Sequence, residues 1–205
     1  MASSLIHICV AKEINKYLKR DEKQLLIGSI APDIAKLISQ SKDTTHFIEN
    51  EKNIPNLNIF LNKYKKQLND DFVMGYYIHL YTDYVWFKFF IPNFLEDNNI
   101  LKLNNKIEKY NEEKFNQYIY NDYHILNKKL IDDYELNLKI FYEEPPKIKN
   151  IIKEMPIEKI QIIIDKAGIL LTESINKKEK IFNEELIHKF VEFCTQGFLS
   201  NIDEK

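Results

Sequence analysis

The chain is poor in the residues that build small, loop-rich or sheet-rich proteins, and each shortage removes a class of answer. Its two cysteines, Cys9 and Cys194, form no CxxC pair and no framework of spacings. That excludes a disulfide-built secreted scaffold, suits a reducing interior and makes both thiols core residues. Four glycines and six prolines in 205 residues leave little turn chemistry for hairpins. An excess of one charge is also missing: 29 Lys and Arg stand against 31 Asp and Glu, a formal net charge of −2. A groove for a polyanion normally carries clustered Lys and Arg, so nucleic acid is not expected as a partner. The longest greasy run, Tyr84 to Leu95, is interrupted by Lys88 and Pro92. It falls short of the roughly 20 apolar residues of a membrane-spanning helix. No basic segment followed by an apolar stretch opens the chain, so no secretory signal is expected and a cytoplasmic location is.

What is present is apolar residues recurring at spacings of three and four, the period of helices. The expectation is an all-α fold: one compact domain over residues 1–205, eight to ten helices packed around a central buried one. Ser3 or Ser4 caps a first helix with Ile6, Val10 and Ile14 on one stripe. An apolar helix through Leu25–Ile27 runs into Gly28, Ser29 and Pro32, which places Asp33 at or near a helix start. Asn56 and its neighbours read as a loop before an amphipathic helix, and Asp70 and Asp71 open the central helix, about 71 to 90. Its aromatics point in nearly every direction, as in a helix with neighbours on most sides. Residues 93–119 read as a polar surface excursion of short helical pieces. A helix beginning at Asn121–Asp122 then runs through Leu130 to Phe141 and stops before Pro145. Two further helices follow, about 156–175 and 183–200, the second capped by Asn183.

Several residues invite chemistry. His79 and Asp83 are spaced i, i+4 and share a helix face, close enough for one metal ion. A simple hydrogen bond between them in a packed core is the bland alternative. His7 faces inward from the first helix, either as a satisfied core histidine or as a ligand. Asp33 either compensates a helix dipole or approaches an ion through its small neighbours, and His46 sits in a polar run that also fits a solvated turn. His188 and Glu192 form a second i, i+4 set, read as a helix-face pair.

Taken in order, Gly28-Ser29-Ile30-Ala31-Pro32-Asp33, Thr45-His46-Phe47 and Gly75-Tyr76-Tyr77-Ile78-His79-Leu80-Tyr81-Thr82-Asp83, with the early His7, resemble the bacterial zinc-dependent phospholipase C family. That family has the helical fold of the alpha-toxin catalytic domain and is distantly similar to fungal single-strand nucleases. The resemblance runs over residues 7 to about 86 and weakly to about 142, so the motif-bearing part is about 3–142, with C-terminal helices at about 147–200. It implies that Asp33, His46, His79 and Asp83 hold one Zn²⁺, with Asp83 reaching toward a second ion shared with His7. Asp122 and His124 match a stretch of shorter intracellular members and would complete that second site, although capping by Asn121 or Asp122 explains them equally well. One to two zinc ions are expected. The chain departs from the family in opening Met1-Ala2-Ser3, without the N-terminal Trp that binds zinc in secreted members. It also lacks the later His, His and Glu set and a C-terminal lipid-binding β-sandwich. The implied activity is metal-dependent phosphoester hydrolysis, a metal-activated water attacking phosphorus with Asp33 as ligand and candidate general base. Tyr76 and Tyr84 are the candidate walls for a small phosphoester or phospholipid-like substrate. The alternatives are a catalytically degenerate protein with a structural metal, or a phosphomonoesterase or nuclease of the same fold.

Overall fold

A computed structural model describes residues 1–49, 53–96, 100–103, 106–109, 112–172 and 178–203. The fold is all-α. Its principal helices are α1 (Ser4–Leu18), α2 (Glu22–Gly28), α3 (Ile34–Leu37), α4 (Lys42–His46), α5 (Leu57–Tyr64), α6 (Asp71–Val85), α7 (Glu112–Asp133), α8 (Ile160–Thr172) and α9 (Glu184–Asp203). Several begin where the chain supplies a cap: Ser3 Oγ accepts from the Ile6 N–H, Asn56 Oδ1 from Asn58 and Ile59, and Asn183 Oδ1 from Leu186.

Helix α6 is the centre. Asp70 Oδ1 accepts the N–H groups of Phe72 and Val73 at 3.1 and 3.3 Å, and every α6 residue except Asp71 and Tyr84 is buried. The helix continues as one π-helical turn, Trp86–Phe90, so the expected 71–90 element is a single helical run that widens at its end. Trp86 is fully buried there against the rings of Phe90, Phe182 and Phe190. Around α6 one continuous apolar core extends from Ala2 to Phe198 and includes both cysteines, which are free thiols.

The contact that sets the site is between α2 and α6. Gly28 and Gly75 face each other, and a Cβ on Gly75 would stand 2.0 Å from the Leu25 carbonyl oxygen. The two backbones therefore touch directly, and glycine is required for the close approach.

Two expectations are corrected. The 93–119 excursion carries a small antiparallel sheet, β1 (Leu95–Glu96), β2 (Ile100–Leu103) and β3 (Lys106–Lys109), in the order β1-β2-β3, where short helical pieces were expected. Its Ile-Leu-Lys-Leu and Lys-Ile-Glu-Lys segments pair in register, Ile100 opposite Lys109 and Leu103 opposite Lys106. The punctuating Asp97-Asn98-Asn99 and Asn104-Asn105 lie outside the described residues. The helix expected from Asn121 begins instead at Glu112 and ends at Asp133, with a separate 3₁₀ turn at Leu138–Phe141. Asn121-Asp122 looks like a cap in sequence but falls in the middle of a running helix. No helix among the described residues is long and apolar enough to cross a membrane.

Candidate metal centre

Four elements converge on one buried polar cluster. A 3₁₀ turn, Ala31–Asp33, follows α2 with Pro32 at its start, and Asp33 stands at the N-cap position of α3 without capping it. Its carboxylate is turned toward the core, with Oδ1 3.6 Å from His46 Nε2. The segment around His46, which as sequence fits a solvated turn, is the short helix α4. Ser41 caps it, and Phe47, in the left-handed conformation at φ 55°, ends it. The ring of Phe47 packs edge-on against Phe60 and anchors that end. His79 and Asp83 come from α6 and His7 from α1. His7, His46, His79 and Asp83 are fully buried, and Asp33 is 7% exposed.

The hydrogen bonds of the imidazoles decide what they offer. His79 Nδ1 lies 2.7 Å from the Ser29 carbonyl oxygen, and His46 Nδ1 lies 3.2 Å from that of Lys42. A carbonyl only accepts, so His79 Nδ1 carries the proton and its Nε2 presents a lone pair. His46 Nδ1 also meets the Thr45 hydroxyl at 3.0 Å, which can donate or accept, and the Nδ1–H tautomer is the one that metal binding through Nε2 requires. The two Nε2 atoms point at each other across 3.1 Å. Asp83 Oδ2 is 3.6 Å from His46 Nε2 and 3.9 Å from His79 Nε2. Ligands about 2.0–2.1 Å from a tetrahedral zinc lie roughly 3.3–3.5 Å from one another, so these separations match a coordination set. Backbone carbonyls holding the outer ring nitrogen are the usual support of a metal-binding histidine. Two imidazole nitrogens and two carboxylates face one another in a buried pocket. Asp33 Oδ1, Asp83 Oδ1 and both nitrogens of His7 have no hydrogen-bond partner. His7 stacks on His79 at 3.8 Å between centroids, and its Nε2 is 3.5 Å from Asp83 Oδ1.

Electrostatics agree with a cation site. Burial pushes His46 and His79 below the usual histidine range, which keeps both neutral and available as ligands. Burial alone would raise both carboxyl groups. For Asp33 the His46 contact, Lys36 and His79 more than offset it; for Asp83 Lys42, His7 and His79 do, and both carboxylates remain ionised well below their ordinary range.

Two of these neighbours, Lys36 and Lys42, are functional candidates that the sequence reading missed. Lys42 Nζ is 3.5 Å from Asp83 Oδ2 and Lys36 Nζ is 3.9 Å from Asp33 Oδ1. The signal for Lys42 was its i, i+4 spacing to His46, hidden because the segment reads as a turn.

Beside the cluster lies a cavity of about 320 Å³, mostly apolar, and Asp33 is the one cluster residue in its wall. Leu5, Tyr123, Ile163 and Leu171 supply apolar surface, and Lys36 and Lys166 supply positive charge. His124 also lines this cavity but is not among the groups whose ligand atoms converge. Asp122 is placed elsewhere: its two oxygens accept the backbone N–H groups of Lys180, Ile181 and Phe182 at 2.9, 2.7 and 3.0 Å, pinning the approach to α9. The expected substrate walls are displaced too. Tyr76 is core, stacked on Phe60 with its hydroxyl donating to the Thr45 carbonyl at 2.5 Å. Tyr84 lines a separate groove with Tyr77 and Tyr81 that none of the cluster residues reaches. His188 does not pair with Glu192: it bonds across to Asp133 at 3.0 Å and Tyr134 at 2.9 Å. Asp133, Glu184 and His188 form a further, more exposed cluster, in which Lys129 already sits 3.0 Å from Glu184.

The buried sets Asp33, His46, His79 and His7, His79, Asp83 are thus arrangements that could hold a metal ion. No protein-family model, curated protein or solved structure matches the chain with significance.

Proposed function

We propose that this protein is a metal-dependent phosphoester hydrolase of the zinc-dependent phospholipase C type, with Asp33, His46, His79 and Asp83 as the principal ligands. The observation that carries the reading is the pair of Nε2 atoms, 3.1 Å apart and ringed by carboxylates, where one carboxylate, Asp33, reaches a cavity. A zinc or similar ion held there would polarise a phosphoryl oxygen and lower the pKa of a water at an open position. Asp33 faces both cluster and cavity, so it would orient such a water and is the candidate to take its proton. Lys36, 3.9 Å away, adds positive charge on the side from which a phosphate would arrive. The apolar wall accommodates the non-polar part of an ester. A mainly apolar cavity with a few convergent polar groups is the usual form of a small-molecule site.

The full burial of four of the five cluster residues favours a second reading, in which the ion only staples α1, α4 and α6 together. One set of assays separates them. The zinc-loaded protein is given a chromogenic phosphocholine ester, a bis-phosphodiester and single-stranded DNA, alongside Asp33→Asn. Turnover of a small ester that falls at least roughly 100-fold in the variant supports the hydrolase, within the usual range for a general base. Strong nuclease activity would replace the substrate class. Full metal occupancy with no turnover of any of the three would refute hydrolysis in favour of the staple.

A further inference from the structure

We propose that Lys42 is a resident cation of the centre, taking the place of a second metal ion and holding the stoichiometry at one. This rests on the reading that the cluster binds metal, and it begins from a shared ligand. The two convergent sets, Asp33 with His46 and His79, and His7 with Asp83 and His79, both require His79. Its Nδ1 is committed to the Ser29 carbonyl, so it has one nitrogen lone pair to give, and that serves one ion. Given to the set with Asp33 and His46, it leaves a second ion the smaller side-chain set of His7 and Asp83 Oδ1, 3.5 Å apart, which makes that ion the weaker one.

The neighbouring positive charge is already supplied. Lys42 opens α4, and its backbone carbonyl lies 3.2 Å from His46 Nδ1 while its side chain reaches inward. Its Nζ stands 3.5 Å from Asp83 Oδ2 and 5.1 Å from the centroid of the Phe87 ring, with the side chain 18% exposed. An ammonium on Asp83 Oδ2, the oxygen that also faces His46 and His79, repels both ions, and the second, with fewer ligands to offset it, is the one excluded. At about 4 Å and an intermediate effective dielectric, that repulsion lowers second-ion affinity by roughly 100-fold or more. Charge count points the same way: Asp33 and Asp83 contribute two negative charges and the histidines none, and Lys36 beside Asp33 and Lys42 beside Asp83 already stand against them. One dication then leaves the centre positive, suited to an anionic phosphoester. A purely structural Lys42–Asp83 ion pair would predict a different result: loss of stability on removing Lys42 with no change in metal count.

The test is metal stoichiometry. Metal-free protein is titrated with zinc alone by calorimetry and, after gel filtration, analysed for bound metal. Lys42→Met keeps an unbranched side chain beside Phe87 and removes the charge, whereas Lys42→Arg keeps the charge. Wild type and Lys42→Arg should bind one equivalent and Lys42→Met two, and His7→Ala combined with Lys42→Met should return to one. Two tight equivalents in wild type, or one in Lys42→Met, would overturn the proposal while leaving a metal centre in place. No zinc in wild type would overturn the metal reading, and this one with it. If circular dichroism shows Lys42→Met unfolded, wild type at rising zinc decides: a second event within about 100-fold of the first dissociation constant refutes the proposal, and its absence upholds it.

Discussion

Gly75→Ala tests whether the contact between α2 and α6 builds the metal centre. The added Cβ would lie 2.0 Å from the Leu25 carbonyl oxygen and 3.0 Å from the Ser29 nitrogen, both backbone atoms of or beside α2. Ordinary contact begins near 3.4 Å, so α2 must retreat from α6 by about 1.4 Å. The Ser29 carbonyl travels with α2, and its 2.7 Å bond to His79 Nδ1 stretches beyond hydrogen-bonding range. Overpacking costs about 1–3 kcal/mol and the lost hydrogen bond about 1 kcal/mol, against a gain of up to about 1 kcal/mol from alanine's helix propensity. The net expectation is about 1–3 kcal/mol of destabilisation, with a drop of roughly 2–4 °C in Tm per kcal/mol in a chain of this size. Zinc affinity should fall a further 10–100-fold, the usual cost of losing the group that orients a metal-binding histidine, by order of magnitude. Gly168→Ala is the control, because its Cβ would meet only the Tyr142 ring, at 3.4 Å. Thermal unfolding of metal-free protein and zinc calorimetry read the two effects. Native stability together with native zinc affinity in Gly75→Ala would refute the reasoning.

Asp122→Ala strands two buried N–H groups, of Ile181 and Phe182, and a partly buried one of Lys180, and should cost about 2 kcal/mol or more in urea unfolding while zinc stoichiometry stays unchanged; loss of zinc from a folded variant would return Asp122 to the ligand set. His79→Ala should abolish tight zinc binding, measured by elemental analysis of the folded variant, since both convergent sets need this residue. For pH, the folded-state values of His46 and His79 lie below the ordinary 6.5, so the unfolded chain takes up protons that the folded one refuses. The contribution of these two histidines to the stability of the metal-free protein is therefore complete above about pH 6.5 and is lost as pH falls, by up to about 1.4 kcal/mol per unit for each group. Asp33 and Asp83 act in the same direction below about pH 3.8. Urea midpoints that are flat between pH 7.5 and 5.5 would contradict this.

Helix positions were legible because their causes are local. Ser3, Asn56, Asp70 and Asn183 announce helix starts through bonds to the next three residues, and the 3.6 period shows which side of α1 faces inward. The same locality misled where a signal was ambiguous. Asn121-Asp122 has the chemistry of a cap, yet its partners are the backbone of residues 180–182, almost sixty positions away. The aromatics of α6 were correctly read as mostly core, but Tyr76 and Tyr84 could not be sorted from the rest, since period alone does not say which neighbour covers a face.

For the centre, spacing along one helix was enough to pair His79 with Asp83, four residues apart. That Asp33 and His46 join them was implied by the resemblance of the ordered motifs and by no local spacing, since two short segments must be carried onto α6. The glycine contact between α2 and α6 sets how near Ser29 comes to His79, and the turn of α4 sets where the Lys42 carbonyl meets His46. Those two carbonyls, main-chain atoms that every residue carries alike, hold the outer nitrogens and turn the two Nε2 atoms toward each other. Residue types thus announced the donors, while long-range backbone packing decided which atoms of those donors face one another.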